Sequence, residues 1–184
     1  MACIGAKGTI FPLSRDRAHK DRVHHLVVRV LAMDARGRFL VQRRSPTRES
    51  YPGAYTDSAS GHVSFRLGLL FDLQRALLED AARELEEEVG VTVANRNGPL
   101  IRPFGRPVYS PDAYETSHCF VARVGGKIRP SDEVDPAKTR FVGRPRLERM
   151  LEKEEFVPVA RELWRALLEE LGNRDPEDVF FHRI

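Results

Sequence analysis

Hydrophobic positions in this chain come in two periods, and those periods predict most of its elements. The block 24–33 (HHLVVRVLAM) is crowded with aliphatic and β-branched residues, as a buried strand requires. Residues 34–37 (DARG) supply a turn, and 38–44 (RFLVQRR) return as the second strand of a hairpin. A polar loop, 45–53, leads into a further extended stretch, 55–63. From 69 to 89 there is neither Pro nor Gly, and the pattern predicts one long helix ending at Gly90, with Val91 restarting an extended run. On a straight helix Phe71, Leu78, Ala82, Leu85 and Val89 form the core stripe, while Leu70, Leu73 and Leu77 align with Glu84 and Glu88. That second row is either an apolar wall for a substrate or a packing surface for a partner copy or the N-terminal segment.

Downstream, 100–109 is extended but interrupted by Pro103, Gly105 and Pro107, which predicts an edge or bulged strand. Residues 110–113 turn the chain, 114–124 alternates like a half-buried strand, and 139–142 makes a short one. Residues 144–151 predict a short helix and 156–171 a longer amphipathic one with Trp164 on its apolar side. The tail, 172–184, carries Val179-Phe180-Phe181, which must dock. Residues 1–22 either pair at a sheet edge or lie loose on the surface. The expected architecture is an α/β/α sandwich around a mixed, partly antiparallel sheet, formed by one domain over 1–184.

Composition narrows the class. A chain of 184 residues with 41% hydrophobic content can bury its own core. The net charge is +3, from 30 basic and 27 acidic residues spread along the chain. That favours small anionic ligands over a nucleic-acid tract. Cys3 and Cys119 do not form a disulfide framework, which points to a reducing cytoplasm, with Cys119 as core packing. No stretch has the layout of a signal peptide or a membrane span.

The chemistry concentrates at 83–91 (RELEEEVGV). On a helix Glu84, Glu87 and Glu88 fall at i, i+3 and i+4, so three carboxylates share one face. Like charges at that spacing repel, and a divalent cation removes the repulsion; hard oxygen ligands suit Mg²⁺ or Mn²⁺. Taken alone, the alternative is a solvated acidic helix.

The order of residues resembles the C-terminal half of the box that marks Nudix hydrolases. Gly61, in Ser60-Gly61-His62-Val63, is similar to the glycine that opens the box. However, 21 residues (62–82) separate it from Arg83, eight more than the family pattern has. The usual box glutamate is Arg75 here, so Arg83 needs another partner, and Glu79 and Asp80 are in reach. The resemblance implies hydrolysis of nucleoside diphosphates linked to another group, with Mg²⁺ or Mn²⁺ held by Glu84, Glu87 and Glu88. The acidic run Asp132, Glu133 and Asp135 also resembles a loop of that family.

More narrowly, 38–63 resembles the branch that includes isopentenyl diphosphate isomerase. Arg44 and Arg48 are spaced like that branch's diphosphate-gripping residues, and Gly61-His62 matches its Gly-His pair, with His62 lining the site. Glu115 is a candidate fourth metal carboxylate or a water-activating base, against the competing account of a surface glutamate. His19, His24 and His25 are better explained as solvated or strand-edge residues than as a metal site. Against the isomerase reading, Ser60 stands where isomerases carry a catalytic Cys, and Ser117 follows Glu115 where they carry a second Glu. The function expected is thus metal-dependent diphosphate hydrolysis, with isomerisation and nucleotide sensing without cleavage as alternatives. A homodimer is compatible with the apolar insertion and tail.

Overall fold

The computed structural model describes residues 1–93 and 100–181. Its centre is a parallel pair, β3 (His25–Met33) and β9 (Glu115–Gly125), in register from His25 opposite Glu115 to Met33 opposite Arg123. β9 is therefore a central strand, more deeply buried than its alternating pattern suggests. Its far edge carries three short antiparallel strands: β6 (Thr92–Val93), β7 (Ile101–Pro103) and β8 (Val108–Ser110). The interrupted stretch 100–109 is thus two strands, and Gly105 turns between them at φ +66°. The other edge of β3 pairs in turn with β1 (Ala2–Ile4), β5 (Ala59–His62) and β4 (Phe39–Val41), all antiparallel. β2 (Ile10–Pro12) pairs with β1, and β10 (Arg140–Val142) with β4.

The N-terminal segment is ordered. β1 adds to the sheet at Cys3 opposite His25, and α1 (Arg15–Lys20) starts on Ser14, whose hydroxyl accepts from the Arg17 N–H. Helices cover both faces, as the sandwich expectation requires. On one face α3 (Leu73–Val89) lays Ala76, Leu77, Ala81, Leu85 and Val89 on Leu26, Val28, Val30 and Ala32 of β3. On the other, α4 (Arg144–Lys153) and α5 (Pro158–Leu171) pack against Leu31, Met33, Phe39, Cys119 and Val121. Trp164 is fully buried there, and its Nε1 donates to the Thr56 carbonyl at 3.1 Å. Phe181 docks on the same core; residues 182–184 of the tail lie outside the described residues.

The single long helix over 69–89 is corrected. α2 (Leu67–Phe71) ends at Asp72, which leaves helical geometry (φ −144°, ψ 85°) and caps α3 by accepting from the Arg75 N–H. An Asp offers the backbone this competing hydrogen bond, so the absence of Pro and Gly did not guarantee continuity. Phe71, expected in the core stripe, is 88% exposed. Leu77 is buried under the sheet and Leu73 packs beside it, so they form no substrate wall.

Candidate active site

α3 delivers its carboxylates to the outer edge of β5, which pairs with β3 alone among the described strands. Gly90 closes the helix in the left-handed conformation (φ 68°), so the acidic turn sits at a fixed end. Glu84 is buried against Gly61: a Cβ there would lie 2.2 Å from the Glu84 carboxyl carbon. Burial, opposed by Arg83, raises the Glu84 pKa. Glu88 Oε2 accepts from Gln42 Nε2 at 2.9 Å and from the Ser60 N–H at 3.1 Å. Burial pushes its pKa up to about 8 against these two hydrogen bonds, and Asp57 and Glu84 nearby add to the rise. Glu87 stands apart, 58% exposed and paired with Arg83 at 2.6 Å.

Arg83 also meets Asp80 at 3.0 Å and Glu84 at 2.8 Å, and donates to the His62 carbonyl at 3.3 Å. Asp80 is the bracing partner that the missing box glutamate left open; it is 2% exposed and binds Arg66 as well, at 2.9 Å. Glu79 turns instead to Arg66 and Arg75, each at 3.0 Å. The two residues of the pair were equal in sequence spacing, and burial separates them.

Glu115 is not beside the box carboxylates. It opens β9, with Oε1 3.8 Å from His25 Nε2 and Oε2 3.6 Å from Arg29 Nη2. Burial would raise its pKa, but His25 and Arg29 hold it below the ordinary value. Around it gather His19, His25 and His62, with one ligating atom from each within 4.8 Å of the others. His19 is exposed and His25 opens β3, as the expectation of solvated or strand-edge residues has it, but the two rings and His62 converge, which that expectation did not foresee. Of the three residues considered there, His24 alone turns away, to Thr116 Oγ1 at 2.6 Å. His25 is 1% exposed; its Nδ1 donates to the Val23 carbonyl at 2.9 Å, and its Nε2 has no hydrogen-bond partner. A ring fixed through one nitrogen aims the other in a set direction, here toward Glu115 Oε1. Burial, then the neighbouring His25, pushes His62 down to about 3, and burial also lowers His19. Sequence spacing could not announce this group, because its members come from α1, β3 and β5.

The arginines of the β4 end are placed differently from one another. Arg44 donates to the Ser50 carbonyl at 2.9 Å and to Ser50 Oγ at 3.0 Å, and no carboxylate among the described residues lies within ion-pair distance. Arg48 is paired with Glu133, and Arg43 with Asp135 at 3.6 Å, so the acidic loop neutralises that pair. Below them Arg29, inside the sheet, binds Asp57 at 2.9 Å and Ser117 Oγ at 3.1 Å.

An α/β/α protein with an acidic helix end on a glycine-bearing strand edge is thereby defined. The model of the NUDIX domain matches residues 23–167, and the chain belongs to that family. It is 35% identical over 78 residues to the uncharacterized Nudix hydrolase YfcD of Salmonella typhi, covering 42% of this chain and 38% of that protein. It is 25% identical over 146 residues to the chloroplastic isopentenyl-diphosphate Delta-isomerase 1 of Cannabis sativa, covering 75% of this chain and 50% of that protein. The chain thus spans half or less of the length of these two relatives. Among solved structures, the MutT protein of Methanosarcina mazei superposes with a TM-score of 0.57 at 22% identity, over 81% of this chain and 96% of that one. A bifunctional NMN adenylyltransferase/ADP ribose pyrophosphatase of Francisella tularensis, complexed with AMP and Mn ion, superposes with a TM-score of 0.55 at 15% identity, over 81% and 42%. No helix among the described residues is long and apolar enough to cross a membrane.

Proposed function

We propose that the chain is a divalent-metal-dependent hydrolase cleaving the diphosphate bond of a nucleoside diphosphate joined to another moiety. The observation that carries this reading is the pair Glu84 and Glu88. Both are withdrawn from water at one strand edge, and the contacts of Glu88 are an amide and a backbone N–H with no cationic side chain. Two carboxylates so placed suit a hard divalent cation. The fit is supported at Gly61, whose missing side chain leaves the space that the Glu84 carboxylate fills.

Glu84, Glu87 and Glu88 would hold Mg²⁺ or Mn²⁺, Glu87 by turning from Arg83. When bound, the ion would offset charge on the phosphate oxygens and acidify a water. Arg44 supplies a guanidinium fork to the diphosphate from the β4 end, releasing Ser50 as it does so. Arg48 can follow if Glu133 is displaced. Arg83, braced by Asp80, keeps the acidic turn and the His62 carbonyl in place. Glu87, Glu88 and Glu115 are the candidates for accepting the water's proton; the first two lie on the acidic turn of α3, whereas Glu115 lies with the histidine group.

A second reading rests on the histidine group. Three imidazoles beside Glu115 make a nitrogen-rich seat that favours Mn²⁺ or Zn²⁺ over Mg²⁺. Together with the likeness to an isopentenyl diphosphate isomerase, this supports a double-bond isomerisation. Ser60 and Ser117 weigh against it, since hydroxyls exchange protons poorly near neutral pH.

One experiment separates the two. The protein is incubated with Mg²⁺ or Mn²⁺ and a panel comprising ADP-ribose, dinucleoside polyphosphates, sugar nucleotides, NADH, coenzyme A, nucleoside triphosphates and isopentenyl diphosphate. Metal-dependent release of a monophosphate or phosphate is expected from at least one nucleotide. An isomerised product with no phosphate release supports the second reading, and inertness toward the whole panel rejects both.

A further inference from the structure

The loop after β4 holds an aromatic side chain in a way that folding alone does not require. Tyr51 is 48% exposed and has φ +49°, a left-handed conformation that costs a residue with a Cβ. Pro52 follows it, which restricts the Tyr51 backbone further. Both ends of this dipeptide are gripped. Arg44 donates to the Ser50 carbonyl and hydroxyl on one side, and Arg43 Nε donates to the Gly53 carbonyl at 2.6 Å on the other. The Tyr51 carbonyl itself accepts from the Ala54 N–H at 3.3 Å. A strained backbone, clamped at both ends, thus displays a large apolar ring to water. A glycine would suit this turn better, and an exposed tyrosine adds nothing to the core.

The dipeptide is also tied through Ser50 to Arg44, the guanidinium proposed above for the diphosphate. Tyr51 directly follows the residue that Arg44 grips, and Arg44 lies within electrostatic reach of Glu88 and Asp57. We propose that Tyr51 is a specificity-determining residue, a fixed plate on which the base of a nucleoside diphosphate stacks while Arg44 takes its phosphates. This rests on the reading of the Glu84–Glu88 edge as a diphosphate site. An aromatic face recognises any nucleobase by its π surface and favours it over a short branched alkyl chain. Tyr51 therefore selects nucleotides over isoprenoid diphosphates.

Calorimetric binding of ADP, isopentenyl diphosphate and inorganic pyrophosphate in the presence of Mn²⁺ tests this, because the three ligands share a diphosphate and differ in what hangs from it. In the wild type ADP should bind about tenfold more tightly than the other two. Tyr51→Phe should keep that preference, whereas Tyr51→Ala and Tyr51→Gly should reduce it to within about twofold, with pyrophosphate binding unchanged. Tyr51→Gly should also melt at or above the wild-type temperature, which shows that the lost preference is not lost folding. No ADP preference in the wild type, an unchanged one in Tyr51→Ala, or equal loss for ADP and pyrophosphate would each overturn the assignment. If the preference depends on Tyr51 but no nucleotide of the panel is hydrolysed, the hydrolase reading falls and the stacking role stands.

Discussion

At the scale of single residues, the chemistry is set by which carboxylates have a cationic neighbour. Glu88 has none within ion-pair distance among the described residues, and burial pushes its pKa up to about 8 from the ordinary 4.5. The sign of the linkage follows. Between those values the folded chain binds more protons than the unfolded one, so this group stabilises fully below about 4.5. Its contribution is lost as pH rises toward about 8. In EDTA, the wild type should therefore lose melting temperature across that window relative to Glu88→Gln. Parallel profiles for the two proteins would contradict the environment described for Glu88. On the proposed role of Glu88 as a metal ligand, a cation would compete with the same proton, so affinity for Mn²⁺ should rise toward pH 8. Asp80 is the opposite case: it is buried and serves both Arg66 and Arg83. Asp80→Asn should cost about 1–3 kcal/mol, discounted because both arginines are a third exposed, and should lower turnover by freeing Arg83. Denaturant unfolding and steady-state kinetics check the two halves of that statement. Sequence spacing made Glu79 and Asp80 equal partners for Arg83, since both lie within one turn; only the depth of the side chain distinguishes them.

At the scale of elements, α2 is a short helix docked at one end of α3, not an extension of it. Asp72 stops α2 and starts α3, and Leu69 alone of α2 is buried. The exposed side of α2 carries Leu67 at 71%, Leu70 at 51% and Phe71 at 88%. Phe71→Ser should accordingly change stability by no more than about 0.5 kcal/mol. A loss of several kcal/mol in chemical denaturation would mean that Phe71 is covered in solution. Helical periodicity correctly placed Leu85 and Val89 in the core and aligned Leu73 and Leu77 with Glu84 and Glu88. It could not see that this shared row faces the sheet, because a helical pattern gives an angle around the axis and not the identity of what lies across from it.

At the scale of the whole molecule, the parallel pairing of β3 with β9 joins features far apart in the chain. It sets His25 against Glu115 and puts Arg29 beside Ser117, with Asp57 closing the group from the loop before β5. Asp57 is fully buried, so Arg29 holds an otherwise uncompensated charge inside the sheet. Arg29→Met should destabilise by about 3–5 kcal/mol. The double variant with Asp57→Asn should recover much of that loss in urea titrations. If the double variant is no better than the single one, the pair is not the source of the effect.

What the linear order settled by itself was local: the strand blocks, the helix that bears the acidic turn, the glycine that ends it, and the family to which those residues belong. Each depends on neighbours within a few positions, where backbone geometry and capping act. The histidine group, the choice of Asp80, the isolation of Glu87 and the clamp around Tyr51 were decided by tertiary structure. Their members come from elements that meet only across the sheet or over a loop. Burial and the charge of an unseen neighbour, which fix what those groups can do, exist only once the chain has closed on itself.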